Sequence, residues 1–218
     1  MKDLAIRIRH CLLETISDLP PVYRGVAGLP ATKAPESLLC AMCAFRIRAV
    51  KGVRRVVLES PVSETLVESG ADRRRMRHGA LVGRKRFDLV VWDQRGPFAL
   101  IELKHGIQKS EVSLRNDALR LARALCIGSG VGFPRVAYLG FDAYRKKSPR
   151  YPNESIEDQL LTSVHYALQA VDYYLEKANL PVTHTRHTGP VFVVNDEIWC
   201  PVVYELRRGR RPPGTVGG

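Results

Sequence analysis

Apolar residues recur at helical spacing from residue 3 to 19, where Leu4, Ile8, Cys11, Leu12, Ile16 and Leu19 form one face; Pro20-Pro21 predicts the end of that helix. The Pro- and Gly-rich stretch that follows, PPVYRGVAGLPATKAP, reads as a surface connector. A second helix is predicted from Pro35 through Leu38, Leu39, Met42, Phe45 and Ile47, ending at the Lys51-Gly52 break. The pattern then changes to runs of β-branched and large apolar residues, which predict strands over 54–60, 86–93 and 97–104. The turn Gln94-Arg95-Gly96 makes the last two an antiparallel hairpin. A helix with Leu114, Ala118, Leu121, Ala122 and Leu125 on one face comes next, then a strand near residue 135, an order that places the flanking strands parallel in one sheet. The segment DAYRKKSPRYPNE reads as a polar surface insertion, and Ser155 caps a long helix carrying Ile156, Leu160, Val164, Leu168, Val171 and Leu175. A hairpin from 191–194 through Asn195-Asp196 to CPVVYEL completes an α/β pattern, with no internal repeat.

With 218 residues and 45% apolar content, the chain can close one substantial core, predicted over residues 1–206, with 207–218 a disordered basic tail. Charges interrupt the N-terminal apolar positions, and no apolar run reaches the about 18 residues of a membrane span. Five cysteines, an odd number scattered along the chain, fit buried thiols in a reducing compartment; a soluble, cytoplasmic protein is the expectation. Cys40 and Cys43 form a C-x-x-C pair, but it sits within a helical pattern and lacks a second close pair for zinc. The net charge of +12, from 34 basic against 22 acidic residues, changes the picture more: it points to a polyanionic partner, nucleic acid rather than membrane. Neither a G-x-S-x-G elbow nor a phosphate-binding P-loop is present, which argues against an ester hydrolase or an NTPase.

The chemistry concentrates in RFDLVVWDQRGPFALIELK, where Asp88 interrupts one apolar strand and Glu102 and Lys104 the next. A carboxylate in a buried strand must reach solvent, pair with a cation or bind a metal. Side-chain alternation puts Glu102 and Lys104 on one face, and an in-register hairpin brings Asp88 beside them. Two carboxylates and the Leu103 carbonyl are then hard oxygen ligands for Mg²⁺ or Mn²⁺.

Asp88, thirteen intervening residues and Glu102-Leu103-Lys104 resemble the motif of the PD-(D/E)xK nuclease superfamily. The order helix, three strands, helix, strand over about 35–141 resembles the core of that family, and Phe87 stands where its motif has proline. The resemblance implies a restriction-endonuclease-like core with a mixed sheet flanked by helices, carrying an extra N-terminal helix and a C-terminal helix plus hairpin. It implies a metal held by Asp88, Glu102 and the Leu103 carbonyl, with Lys104 orienting or helping to deprotonate the attacking water. It also makes Glu36, at the start of the second helix, a candidate helper carboxylate, equally readable as compensation of the helix dipole. Glu59 is a weaker candidate for that role.

The expected activity is Mg²⁺- or Mn²⁺-dependent endonucleolytic cleavage of phosphodiester bonds, DNA first, in restriction, repair or defence. Arg73, Arg74, Arg75, Arg77, Arg84, Lys85 and Arg86 form a candidate phosphate-binding stretch; a solvated charged loop is the alternative. Tyr166, Tyr173 and Tyr174 can stack on bases or pack on the body, and His184 and His187 read as exposed loop residues. His105 is expected to point away from Lys104. Cutting both strands of a duplex favours a homodimer. The competing reading is a catalytically silent nucleic-acid-binding or protein-interaction module on the same fold.

Overall fold

The protein is described by a computed structural model covering residues 2–76, 81, 85–107, 111–127, 132–146, 155–194 and 197–209. Its centre is a mixed, open sheet of seven strands: β1 (Arg55–Pro61), β2 (Arg86–Asp93), β3 (Gly96–Ile107), β4 (Val136–Lys146), β5 (Val182–Thr188), β6 (Phe192–Val194) and β7 (Glu197–Arg208). The order is β1-β2-β3-β4-β7-β5, with β6 also on β7. β3 and β4 run parallel and every other pair is antiparallel, as the strand, helix, strand order predicts.

Among the described residues five α-helices cover the two faces of this sheet: α1 (Lys2–Ala27), α2 (Glu36–Arg48), α3 (Val62–Glu68), α4 (Glu111–Cys126) and α5 (Ile156–Lys177). Ile8, Leu12, Ile16, Leu39, Cys43 and Ile47 of α1 and α2 share one core with Leu89, Ile101, Leu103 and Tyr138. Leu66, Leu114, Leu121, Leu168 and Leu175 of α3, α4 and α5 share the other with Val90, Leu100, Leu139 and Val202. Alternation along β3 thus sends Ile101 and Leu103 to the α1/α2 side and Leu100 to the α4 side, and Glu102 and Lys104 follow Leu100.

The helix expected to stop at Pro20-Pro21 runs on to Ala27 with both prolines inside it. Proline already has a helical φ, and what it forfeits is the N–H bond to the preceding turn. Burial of Leu19 and Pro20, together with the Arg46–Asp18 ion pair at 2.5 Å, holds the helix through that gap. In α2 the buried stripe is Leu39, Cys40, Cys43 and Ile47; Phe45, expected on it, is exposed. All five cysteines are free thiols.

Three further expectations change. Residues 142–146, read as the start of a polar insertion, continue β4, while 147–154 lie outside the described residues. The segment holding His184 and His187 is β5, an edge strand that shows polar side chains on both faces and so carries no alternation to read. β7 extends to Arg208, two residues into the stretch expected to be a tail; 210–218 lie outside the described residues.

Gly140 lets α1 lie directly on β4: a Cβ there would stand 2.9 Å from Leu103 Cδ2 and 3.1 Å from Ile16 Cδ1. Gly140→Ala is therefore expected to destabilise by about 1–3 kcal/mol. Thermal unfolding should show it as a lower Tm, partly recovered when Ile16→Val is added; an unchanged Tm would mean that α1 shifts freely.

Candidate functional site

The β2–β3 register pairs Leu89 with Ile101, so the next position outward sets Asp88 beside Glu102. There the Leu103 N–H donates to Asp88 Oδ2 at 2.7 Å, fixing that carboxylate against the strand carrying Glu102 and Lys104. Glu59, the residue of β1 between the paired Leu58 and Ser60, lies beside Asp88 with a left-handed φ of 51°. Phe87 is fully buried in the core on the α3, α4 and α5 side of the sheet.

Helices close over this end of the sheet from both faces. From the first turn of α2, Glu36 Oε1 accepts a hydrogen bond from Lys104 Nζ at 3.0 Å. From α4, Asp117 Oδ2 lies 3.6 Å from the same ammonium. Arg120, one turn further along α4, places Nη2 2.6 Å and Nε 3.0 Å from Glu102 Oε1, and its Nη2 also lies 2.8 Å from Asp117 Oδ1. Glu102 is only 1% exposed, and the side chains of Asp117 and Arg120 are 10% and 12% exposed.

The structure brings together Asp88, Glu102, Lys104 and Glu36, all singled out from the sequence. It adds Asp117 and Arg120, which sequence reasoning missed. A signal for Asp117 was present: with Leu114, Ala118, Leu121, Ala122 and Leu125 it follows the i, i+3, i+4, i+7 order of the apolar stripe, so a charge sits on the buried face. Glu59 stays outside the group, exposed and 4.0 Å from Arg86.

Four carboxylates face two cations, so the group carries two negative charges in excess when fully ionised, the charge of one divalent cation. Burial raises the pKa of Glu102 well above the carboxylate range even though Arg120 opposes it. Burial also raises Asp88, against the Leu103 N–H and Lys104. For Lys104, burial disfavours the charge, but Asp117 and Glu36 outweigh it and the ammonium is held more firmly than usual. The excess is thus relieved by protons on Asp88 and Glu102 or by a cation between them. Among the described residues no three Asp, Glu, His or Cys side chains form a ready metal cage. The Asp88 and Glu102 carboxylates and the Leu103 carbonyl are hard oxygen donors of the kind that Mg²⁺ or Mn²⁺ takes, with Arg120 already on Glu102 Oε1 and the Leu103 N–H on Asp88 Oδ2.

His105 points away from the group, as alternation predicts. Its Nδ1 lies 2.6 Å from Asp142 Oδ2 and its Nε2 2.9 Å from the Ala31 carbonyl, and the ring stacks on Trp199 at 5.7 Å. Asp142 also accepts from the Gly106 N–H at 2.5 Å. Gly106 has a φ of 69°, and the β3–β4 register shifts between Lys104 and Ile107, so Asp142 fixes the bulge directly after the lysine.

Of the basic stretch, Arg73 is exposed in the 3-10 turn Arg73–Met76, and Lys85 and Arg86 are exposed just before Asp88. Arg77 and Arg84, with the side chains of Arg74 and Arg75, lie outside the described residues. Tyr166 and Tyr173 are exposed on α5, whereas Tyr174 lies under the Arg115 guanidinium at 4.5 Å. His184 and His187 bind no common partner: the first meets Asp172 and the second Glu205. No described helix is long and apolar enough to cross a membrane. No family model, curated protein or solved structure matches this chain. The functional argument therefore rests on the site itself.

Proposed function

We propose that this chain is a divalent-metal-dependent nuclease with a restriction-endonuclease-like core, hydrolysing phosphodiester bonds, in DNA first, in restriction, repair or defence. One observation carries the reading: Asp88, Glu102 and Lys104 gather at the common end of two adjacent strands, with Glu36 on the lysine. The net charge of +12 and the exposed Lys85 and Arg86 just before Asp88 support a polyanionic substrate.

Asp88, Glu102 and the Leu103 carbonyl would hold the cation, which supplies Lewis-acid stabilisation of charge developing on the phosphate and a more acidic water. Asp88 is pre-set for this by the Leu103 N–H. Glu36 and Asp117 hold the Lys104 ammonium beside these donors, where its charge would orient the attacking water and stabilise a phosphate oxygen. With Glu36 and Asp117 on its ammonium, Lys104 would act through its charge.

The Arg120 contact on Glu102 favours a second reading, a silent binding module in which guanidinium replaces metal. Cleavage of plasmid, linear duplex, single-stranded DNA and RNA with Mg²⁺ or Mn²⁺ separates the two. Activity abolished by EDTA and by Glu102→Ala is expected; salt-sensitive binding without cleavage under either metal would establish the silent module.

A further inference from the structure

Arg120 donates Nε–H to Glu102 Oε1 and brings Nη2 to 2.6 Å from the same oxygen, while Asp117 anchors it from its own helix. Glu102 is the least exposed carboxylate of the group, and a guanidinium is the charged group best suited to satisfy a buried carboxylate in the absence of metal. A dication on either oxygen of the same carboxylate would stand within a few ångströms of that guanidinium, with little water between them to screen the repulsion. Arg120 and a metal thus compete for Glu102.

On the metal-site reading above, we propose that Arg120 is a built-in counter-ion which a divalent cation must displace from Glu102, and that the freed guanidinium turns to a phosphate oxygen of the nucleic-acid backbone. Asp117 makes the exchange feasible, because it keeps the guanidinium beside the site after Glu102 has been surrendered. A guanidinium carries five N–H donors in a planar fork, and a phosphate accepts two of them side by side. Metal binding and substrate binding then support each other: the metal releases the arginine, and the phosphate keeps it from returning. In the metal-free site the most buried carboxylate already has its partner in Arg120, which resists stray cations.

Calorimetric titration with Mn²⁺ alone tests this on the wild type, Arg120→Gln, Arg120→Lys and Glu102→Gln. Removing a competitor held by charge-assisted hydrogen bonds is expected to tighten Mn²⁺ binding in Arg120→Gln on the order of tenfold or more. Arg120→Lys, which keeps the charge but loses the fork, is expected to fall between it and the wild type, and it decides the matter if Arg120→Gln does not fold. Glu102→Gln should lose the tight site. An arginine that merely supports the site predicts the opposite sign, so binding that is unchanged or weaker in the Arg120 variants overturns the proposal while leaving the metal site standing. Absence of Mn²⁺ binding from every protein, together with absence of cleavage, overturns the nuclease reading itself.

Discussion

Lys104→Met is expected to lower kcat for metal-dependent cleavage by about 10²–10³-fold while leaving Mn²⁺ affinity near that of the wild type. The ammonium lies 3.0 Å from Glu36 and 3.6 Å from Asp117, and neither is among the proposed metal donors. Methionine keeps most of the stem's packing and removes only the charge. Asp117 retains Arg120 at 2.8 Å, and the Glu36 side chain, 41% exposed, can be solvated, so the fold should survive. Single-turnover cleavage with saturating Mn²⁺, beside a metal titration, reads both quantities. Loss of metal binding along with cleavage would make Lys104 a structural counter-charge, and full activity would remove it from the chemistry.

Asp142→Ala is expected to be the most destabilising single change near the site, costing roughly 3–5 kcal/mol, because it leaves a buried imidazolium without its carboxylate. Both nitrogens of His105 face acceptors, Asp142 Oδ2 and the Ala31 carbonyl, which is the pattern of a doubly protonated ring. Burial disfavours that charge, but the Asp142 hydrogen bond and charge prevail and raise the His105 pKa above its ordinary 6.5. The sign follows: the pair's contribution is fully present below about pH 6.5 and is lost as pH rises through the raised folded value. Wild-type Tm measured upward from pH 6 should therefore carry a component that falls with pH, and Asp142→Asn should remove it. The loss in Asp142→Ala corresponds to about 6–20 °C in Tm for a chain of this size. A variant within a degree or two of the wild type would refute the charged pair.

Asp88, Glu102 and Lys104 were legible because each is a charge inside an otherwise apolar strand, where burial requires a partner. Their convergence was legible only in part: counted from the Gln94-Arg95 turn, Asp88 would face Ile101, and it is the bulge between Val91 and Trp92 that moves it opposite Glu102. Arg120 was not. Its position on α4 is compatible with an ordinary solvated arginine, and only the packing of α4 over β3 turns it toward Glu102. Asp142 was misread for a local reason: the alternation Tyr138, Gly140, Asp142, Tyr144 extends the strand, but the polar run after it reads as a loop. α3 was invisible because seven residues hold too few turns for a helical period. β5 was hidden by its two polar faces, since what makes it a strand is β7, not its own sequence.

The place of β7 between β4 and β5 also constrains how the chain can assemble. β1, β2 and β3 meet through neighbouring segments, and α4 brings β4 to β3 over a short crossover, so the half bearing the site can form from near contacts. The outer edge of β4 has no such neighbour. It stays an open template until β7 arrives from beyond α5, β5 and β6, and β7 must enter before β5 has anything to pair with. Closure of that long loop is the stage that this topology is expected to make slow and exposed to aggregation, which stopped-flow refolding at increasing protein concentration would read. Asp142 lies on β4 opposite Pro201, so the edge beside the bulge that follows Lys104 is sealed by the last long strand of the sheet.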